Sequence, residues 1–364
     1  MEYLAEYGLF FAKLLTVVLG IIVIIVVLAG IRMREKSRIG GGHLEIRHWN
    51  EKLRELKGAL QAHVLDKAEL KDEAKAQKAE AKEKAKAEKK KRKKPESQQP
   101  PAEGEEQTDS KAKQRVFVVN FHGDMRALSV DTLREEITAI LSLAAASDEV
   151  VIRLESGGGV VHAYGLAASQ LQRIREKGLR LTVCVDKVAA SGGYMMACVA
   201  DRILAAPFAI VGSVGVVAQL PNFHRLLKKH DIDYELLTSG EYKRTLTVLG
   251  ENTSKGRAKF QEELEDTHRL FKEFVSEHRP TLEVEKIATG EYWFGRRALE
   301  KGLVDELTTS DAYLVSRCDE AQVYEVKYIE KKPLQERIGI SFQAAFDGLA
   351  LKWLERLQRR DNLF

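Results

Sequence analysis

From Val116 onward, short runs of β-branched residues alternate with stretches of helical spacing, and no other feature constrains the fold as strongly. Strands are predicted at 116–121, 150–154 and 181–185, and helices at 129–146 and 161–177. This alternation is typical of parallel strands joined by crossover helices. The sequence therefore predicts an α/β domain over residues 116–330 with a largely parallel sheet.

The remainder of this domain is less regular. Further short strands are predicted at 202–204, 210–217 and 234–237, and a long polar helix over 254–277. Residues 331–364 are expected to form a C-terminal tail. Its apolar residues stand at near-helical spacing, which fits packing on its own domain or on a neighbouring subunit.

Charge and cysteine content exclude several classes of protein. Residues 1–115 carry 25 basic and 18 acidic side chains, whereas residues 116–364 carry 33 and 36. A slightly acidic domain is poorly suited to neutralising phosphates, so specific nucleic-acid binding is not expected. The three cysteines, none at CxxC spacing, supply neither a disulfide framework nor a thiolate zinc site.

A run of 18 residues without a charged side chain extends from Leu14 to Ile31. A helix that crosses a bilayer needs about 20 apolar residues. A signal peptide would have a basic start and an apolar core of about 7 to 15 residues, whereas this chain starts with the acidic residues Glu2 and Glu6. We therefore expect residues 1–38 to be an uncleaved membrane anchor that contacts the lipid bilayer through residues 10–31.

Residues 39–115 are predicted to form a charged Lys/Glu/Ala-rich helix and a linker. A loose apolar spacing favours a short amphipathic helix within 43–66. The stretch 67–94 is almost wholly Ala, Lys and Glu, which predicts a solvated helix or disorder. Beside a membrane anchor, lipid contact or a spacer role fits this stretch better than nucleic-acid binding.

A candidate nucleophile follows the third predicted strand. Ser191 stands between two alanines and two glycines (AASGG) at a strand-to-helix turn, so its hydroxyl has little steric cover. A helix start there favours an oxyanion or an alkoxide. The pattern is not the GxSxG elbow, because residue 189 is alanine. Taken alone, the motif also fits a serine that merely caps the helix.

A glycine-rich turn ends the second predicted strand. Ser156 is followed by three glycines, residues 157–159. Successive glycines allow backbone amides to turn toward a bound group, as an oxyanion hole requires. The same turn also suits a phosphate or a tight reversal of the chain.

The identity of the general base is open at this point. His122, His162 and His224 lie in the domain, but nothing in their spacing singles out a triad member. Lys243, in the sequence SGEYK, is the alternative, since Ser-Lys pairs are an established variant of the triad. A solvated lysine titrates at about 10.4, so a lysine base needs burial and a neutral polar group that orients its amine. The hydroxyl of Ser213 could serve as that group.

Four motifs, taken in order, resemble the signal peptide peptidase A (protease IV) family of serine proteases, and most closely its SohB branch. They are ESGGG at 155–159, ASGGY at 190–194, GSVGV at 212–216 and GEYK at 240–243. The resemblance extends over about 116–307. Four ordered motifs in one domain are specific, whereas any one of them alone is not.

The resemblance implies a crotonase/ClpP-like fold and a serine protease with a Ser-Lys dyad. By motif position, Ser191 would be the nucleophile, Lys243 the general base, and Ser213 the residue that holds the lysine amine. Gly158 and Gly192 would supply the oxyanion amides. The resemblance also implies peptide or protein substrates at the membrane, a homo-oligomeric ring, and no metal or cofactor.

The location of the catalytic domain is open. The resemblance implies a single-pass protein of the bacterial cell inner membrane with its active site on the outer side. The basic residues that follow the apolar run favour a cytoplasmic domain by the positive-inside rule.

The sequence also departs from the family, because Gly157 stands where proline is common and no Pro-Phe follows Lys243. These differences indicate a more flexible glycine turn and a different substrate groove.

Two other functions compete with the protease. One is an acyl-CoA hydratase or isomerase on the same fold, although that chemistry typically uses carboxylates at the site. The other is a catalytically silent membrane scaffold that binds lipid or a partner through the basic segment 67–94. The scaffold predicts that replacing Ser191 or Lys243 by alanine leaves the biological effect intact.

Overall fold

The computed structural model describes residues 42–66 and 114–330. The predicted membrane anchor, the Lys-rich stretch 67–94 and the C-terminal tail lie outside the described residues. Among the residues that are described, no helix is long and apolar enough to cross a membrane. The chain divides into two units, and the larger one, residues 46–327, contains every predicted site residue.

The elements alternate as the sequence predicts. The strands are β1 (His43–His48), β2 (Arg115–Gly123), β3 (Glu149–Ser156), β4 (Arg180–Val185), β5 (Val188–Ala190), β6 (Arg202–Ala205), β7 (Ile210–Gly212), β8 (Tyr292–Phe294), β9 (Glu306–Leu307) and β10 (Gln322–Ile329). The helices are α1 (Trp49–Val64), α2 (Val130–Leu143), α3 (Val161–Glu176), α4 (Gly192–Ala197), α5 (His224–Lys229), α6 (Ser254–His278), α7 (Val284–Ile287), α8 (Gly295–Glu300) and α9 (Ser310–Glu320).

The sheet of the larger unit is mostly parallel and divides at the end of β3. One branch has the order β10-β2-β3-β4-β6-β9, with every pair parallel. In the other branch, β5 pairs in parallel with the end of β3 and with β7, and β8 runs antiparallel to β7. The predicted α/β fold with a largely parallel sheet is confirmed.

Both faces of the sheet are buried, which explains the near-continuous apolar runs of the central strands. Along β2, Phe117 and Val119 face a core cluster that includes residues of α2 and α3. Val116 and Val118 point to the other face, where Trp49 and α9 cover them. This alternation follows from the two-residue period of a strand.

The start of α1 is held by a side chain that bridges three backbone groups. The Asn50 amide nitrogen donates to the carbonyls of Cys318 and Ala321, at 2.9 and 3.0 Å. Its oxygen accepts from the Val323 amide at 2.8 Å. The amphipathic helix predicted within 43–66 forms from Trp49 to Val64, whereas residues 43–48 form a strand.

Two further predictions need correction. Residues 234–237 form no strand, and their side chains are exposed in an irregular segment. The predicted strand 210–217 is only three residues long, because β7 ends at Gly212. Between β7 and α6 the chain has one regular element, the six-residue helix α5.

Candidate active site

Ser191 occupies the turn between β5 and α4, at the point where the sheet divides. Its backbone has φ 53° and ψ −119°, an unfavourable conformation for a residue with a side chain. The Ser191 amide donates to the Gly212 carbonyl at 2.8 Å, and its carbonyl accepts from the Met195 amide at 3.0 Å. Backbone strain of this kind is concentrated at functional sites, where the surrounding structure enforces it.

The glycine loop, residues 157–159, packs directly against this turn. β3 and β5 pair at Ser156 and Ala189, so the residues that follow each strand are neighbours. Gly158 has φ 88°, and a Cβ there would lie 2.7 Å from the Gly192 nitrogen and 2.8 Å from the Ser191 Cβ. A Cβ on Gly193 would likewise lie 2.5 Å from the Ser156 carbonyl oxygen. The two turns can approach this closely only because Gly158, Gly192 and Gly193 carry no side chains.

The predicted oxyanion donors differ in their surroundings. The Gly158 amide donates to the Ser156 Oγ at 3.0 Å, so it would have to share or release that bond to stabilise an oxyanion. Gly192 is the first residue of α4 and follows the nucleophile directly. The oxyanion roles of both glycines stay predictions.

Ser213 lies beside Ser191 at the end of the next strand. Ala190 and Gly212 are paired in the parallel register of β5 and β7, and the two serines are the residues that follow them. Ser213 also has a positive φ of 53°, and its amide donates to the Glu291 carbonyl at 2.7 Å. The structure thus brings together Ser191, Ser213 and the glycine loop.

Lys243 lies in the exposed segment between α5 and α6. Its side chain is exposed, and its amide donates to the Gly240 carbonyl at 3.2 Å. Within residues 42–66 and 114–330, its amine makes no hydrogen bond or ion pair. The burial that a lysine base requires is therefore missing around this single chain.

The histidines are not placed as triad members. His122 is exposed and lies 3.6 Å from the Glu155 carboxylate. His162 is exposed on the first turn of α3, and His224 is half-buried at the start of α5. In the described part of the chain, none of the three rings is hydrogen-bonded to Ser191. The same residues contain no cluster of three or more His, Cys, Asp or Glu side chains able to hold a metal ion.

Sequence reasoning missed the contribution of Tyr164. The fully buried Tyr164 hydroxyl lies 2.5 Å from the Ser156 Oγ and donates to the Asp124 carbonyl at 2.8 Å. A Cβ on Gly192 would overlap its ring. Burial raises the pKa of the Tyr164 phenol, so this group stays protonated at neutral pH. The sequence offered only a tyrosine within the helix predicted at 161–177.

Comparison with known proteins now identifies the class of protein. The model "Peptidase family S49 N-terminal" matches residues 2–171, and the model "Peptidase family S49" matches residues 173–324. The chain is 53% identical over 338 residues to the Probable protease SohB of Haemophilus influenzae, which covers 93% of this chain and 92% of that protein. The chain belongs to peptidase family S49.

Two more distant similarities were also found. Protease 4 of Haemophilus influenzae is 30% identical over 160 residues, 43% of this chain and 26% of that protein. A solved structure, a mutant of the 1510-N membrane-bound stomatin-specific protease, has a TM-score of 0.38 at 13% identity and covers 57% of this chain and 85% of its own. The resemblance found in the four sequence motifs is confirmed.

Because the glycine loop packs against the nucleophile turn, an alanine substitution should be damaging at Gly158 and harmless at the neighbouring Gly157. We expect Gly158→Ala to abolish labelling of the full-length chain by a fluorophosphonate, a reagent for activated serines. It should also lower the free energy of unfolding by about 1–3 kcal/mol, because its Cβ would meet Gly192 at a positive φ. Gly157→Ala is the matched control, since a Cβ there would have no neighbour within 4 Å. Equal labelling of the two variants would contradict this packing.

Proposed function

We propose that this chain is a membrane-anchored serine endopeptidase with a Ser-Lys dyad that hydrolyses membrane-associated peptides or misfolded proteins. The observation that carries the proposal is the strained Ser191 turn, against which the glycine loop is packed. Membership of peptidase family S49 supports the reaction class. The branched parallel sheet is consistent with a crotonase/ClpP-like fold.

In the proposed mechanism, neutral Lys243 removes the proton of the Ser191 hydroxyl, and the resulting alkoxide attacks a peptide carbonyl. Backbone amides at the glycine loop and at Gly192 stabilise the tetrahedral oxyanion. The protonated lysine then gives its proton to the leaving amine, which departs as the acyl-enzyme forms. A water molecule repeats the cycle and releases the acid. The Ser213 hydroxyl orients the lysine amine throughout.

The exposure of Lys243 supports a homo-oligomer, in line with the ring that the family resemblance implies. The segment 217–249 carries many exposed apolar side chains, among them Val217 at 80% and Leu237 at 91% relative exposure. Monomeric proteins rarely expose large contiguous apolar patches. Assembly would cover this segment and exclude water from Lys243, which favours a neutral amine.

The apolar run from Leu14 to Ile31 supports anchoring to the bilayer. Such an anchor would concentrate the enzyme at the surface where apolar peptide remnants accumulate. The small residues around Ser191 favour small or apolar side chains next to the scissile bond.

The dyad is tested by hydrolysis of a denatured protein or an apolar peptide by the full-length chain from pH 6 to 10. We expect Ser191→Ala and Lys243→Ala to lower kcat by about 10⁴-fold or more, as for other dyad and triad members. The wild type should gain activity as pH rises, because the base must be neutral to accept the proton.

Arg244→Ala is the matched control, since it removes the neighbouring exposed cation and should keep activity within about twofold of wild type. Retained activity in Lys243→Ala would move the base to another group, with His162 and His224 tested next. Retained activity in Ser191→Ala would refute the protease, and binding of coenzyme A would then favour the acyl-CoA enzyme.

Assembly through the segment 217–249 is tested by Leu237→Asp. We expect a lower molar mass by light scattering and a loss of peptidase activity, because a buried, unpaired carboxylate is costly in an interface. Leu143→Asp is the control, since Leu143 is 65% exposed at the end of α2. A wild-type chain that is monomeric at working concentration would contradict the proposal.

Anchoring is tested by alkaline extraction of membranes. We expect the full-length chain to stay in the membrane pellet and a variant without residues 1–38 to be released. A variant in which residues 14–31 are permuted keeps the same hydropathy and should stay in the pellet. Release of the full-length chain would show that these residues do not span the bilayer.

A further inference from the structure

Two buried hydroxyls connect the glycine loop to the end of β2. The Gly158 amide donates to the Ser156 Oγ at 3.0 Å, and this oxygen lies 2.5 Å from the Tyr164 hydroxyl. The Tyr164 hydroxyl also lies 2.8 Å from the Asp124 carbonyl. The Ser156 Oγ also lies 3.5 Å from the Gly123 carbonyl, so either hydroxyl can be the donor between Ser156 and Tyr164. In both arrangements the Gly158 amide, the two hydroxyls and the backbone carbonyls at the end of β2 form one connected network, in which hydrogen bonds polarise one another.

Tyr164 also touches the other half of the site. Its ring occupies the space that a Cβ on Gly192 would need. A Cβ on Gly123 would overlap the hydroxyl oxygens of both Tyr164 and Ser156. Tyr164 thus contacts the residue after the nucleophile with its ring, while its hydroxyl reaches Gly158 through Ser156.

The loop needs this support because its own backbone is permissive. Three consecutive glycines lose more conformational freedom on ordering than any other sequence of three residues. At the far end of the loop, the Val160 amide donates to the Met125 carbonyl at 2.9 Å. At the near end, Gly157 has open space around its Cα, and the bond from Gly158 to Ser156 is the restraint.

We propose that Ser156 and Tyr164 are positioning residues that hold the glycine loop in the geometry needed to stabilise the transition state. The proposal rests on the proposed function, since it concerns the oxyanion loop of that protease. Neither side chain touches the reacting atoms. Their hydroxyls act on Gly158, and the Tyr164 ring fixes the distance to Gly192.

The first test compares the kinetics of Tyr164→Phe, Ser156→Ala and the double variant in the full-length chain. Loss of a direct oxyanion donor costs about 10²–10³-fold in kcat. We expect the loss of a support to cost less, about tenfold in kcat, with KM within twofold of wild type. Because both hydroxyls act through one chain of bonds, the double variant should be no slower than the slower single variant.

The second test separates the transition state from the ground state. We expect Tyr164→Phe to weaken inhibition by a peptide aldehyde, whose adduct with Ser191 carries an oxyanion, by about tenfold. Binding of the parent peptide should be unchanged when the same substitution is placed in the Ser191→Ala background. A merely structural role would move neither ratio, since it would lower thermal stability alone.

Tyr194→Phe is the matched control. Tyr194 is fully buried, and its hydroxyl also donates to a backbone carbonyl, that of Leu303 at 3.1 Å, away from the glycine loop. We expect it to lower the unfolding temperature about as much as Tyr164→Phe does and to leave kcat within twofold of wild type. A Tyr164→Phe variant with wild-type kcat and aldehyde inhibition would overturn the positioning role, while Ser191→Ala reports separately on the proposed protease.

Discussion

The parallel pairing of β5 between β3 and β7 is the constraint on which the site depends. Ser156 is paired with Ala189, and Ala190 is paired with Gly212. Parallel strands bring their carboxyl ends to one edge of the sheet. The strand register alone therefore places the glycine loop, Ser191 and Ser213 side by side. A ligand crevice at the carboxyl ends of strands is the general arrangement of open α/β sheets. A one-residue slip of β5 would turn the nucleophile turn away from both neighbours.

The glycine loop and the nucleophile turn illustrate how backbone strain is maintained. A positive φ at Ser191 and at Ser213 is unfavourable in isolation, so the surrounding structure must compensate. Backbone bonds to Gly212 and Glu291 fix the two serines, and the Ser156–Tyr164 pair fixes the loop from the other side. Main-chain hydrogen bonds thus hold the two serines, while the side chains of Ser156 and Tyr164 restrain the glycine loop, whose backbone has the greatest conformational freedom.

Much of the fold was readable from sequence, because the central strands and their helices are long and strongly patterned. β2, α2, β3, α3 and β4 all form close to their predicted bounds. β5 was missed because three residues are too few to show a period, and β1 was missed because residues 43–48 were included in the predicted amphipathic helix. The site was predictable as two glycine-rich turns after strands, and the register that joins them was not. Tyr164 could not be assigned, since its role depends on tertiary contacts that leave no local pattern. The exposure of Lys243 could not be predicted either, because the burial of a side chain depends on tertiary contacts.

The close approach of glycines also limits how this site can change over generations. Gly123, Gly158, Gly192 and Gly193 each lack room for a Cβ. Elsewhere in a protein interior a large residue can be exchanged for a smaller one at moderate cost, but no amino acid is smaller than glycine. Every missense mutation at these four codons therefore inserts atoms into occupied space. Even alanine, the smallest replacement, adds a Cβ that the surroundings cannot accommodate. Gly157, whose surroundings are open, is the one position of the loop at which drift is sterically permitted.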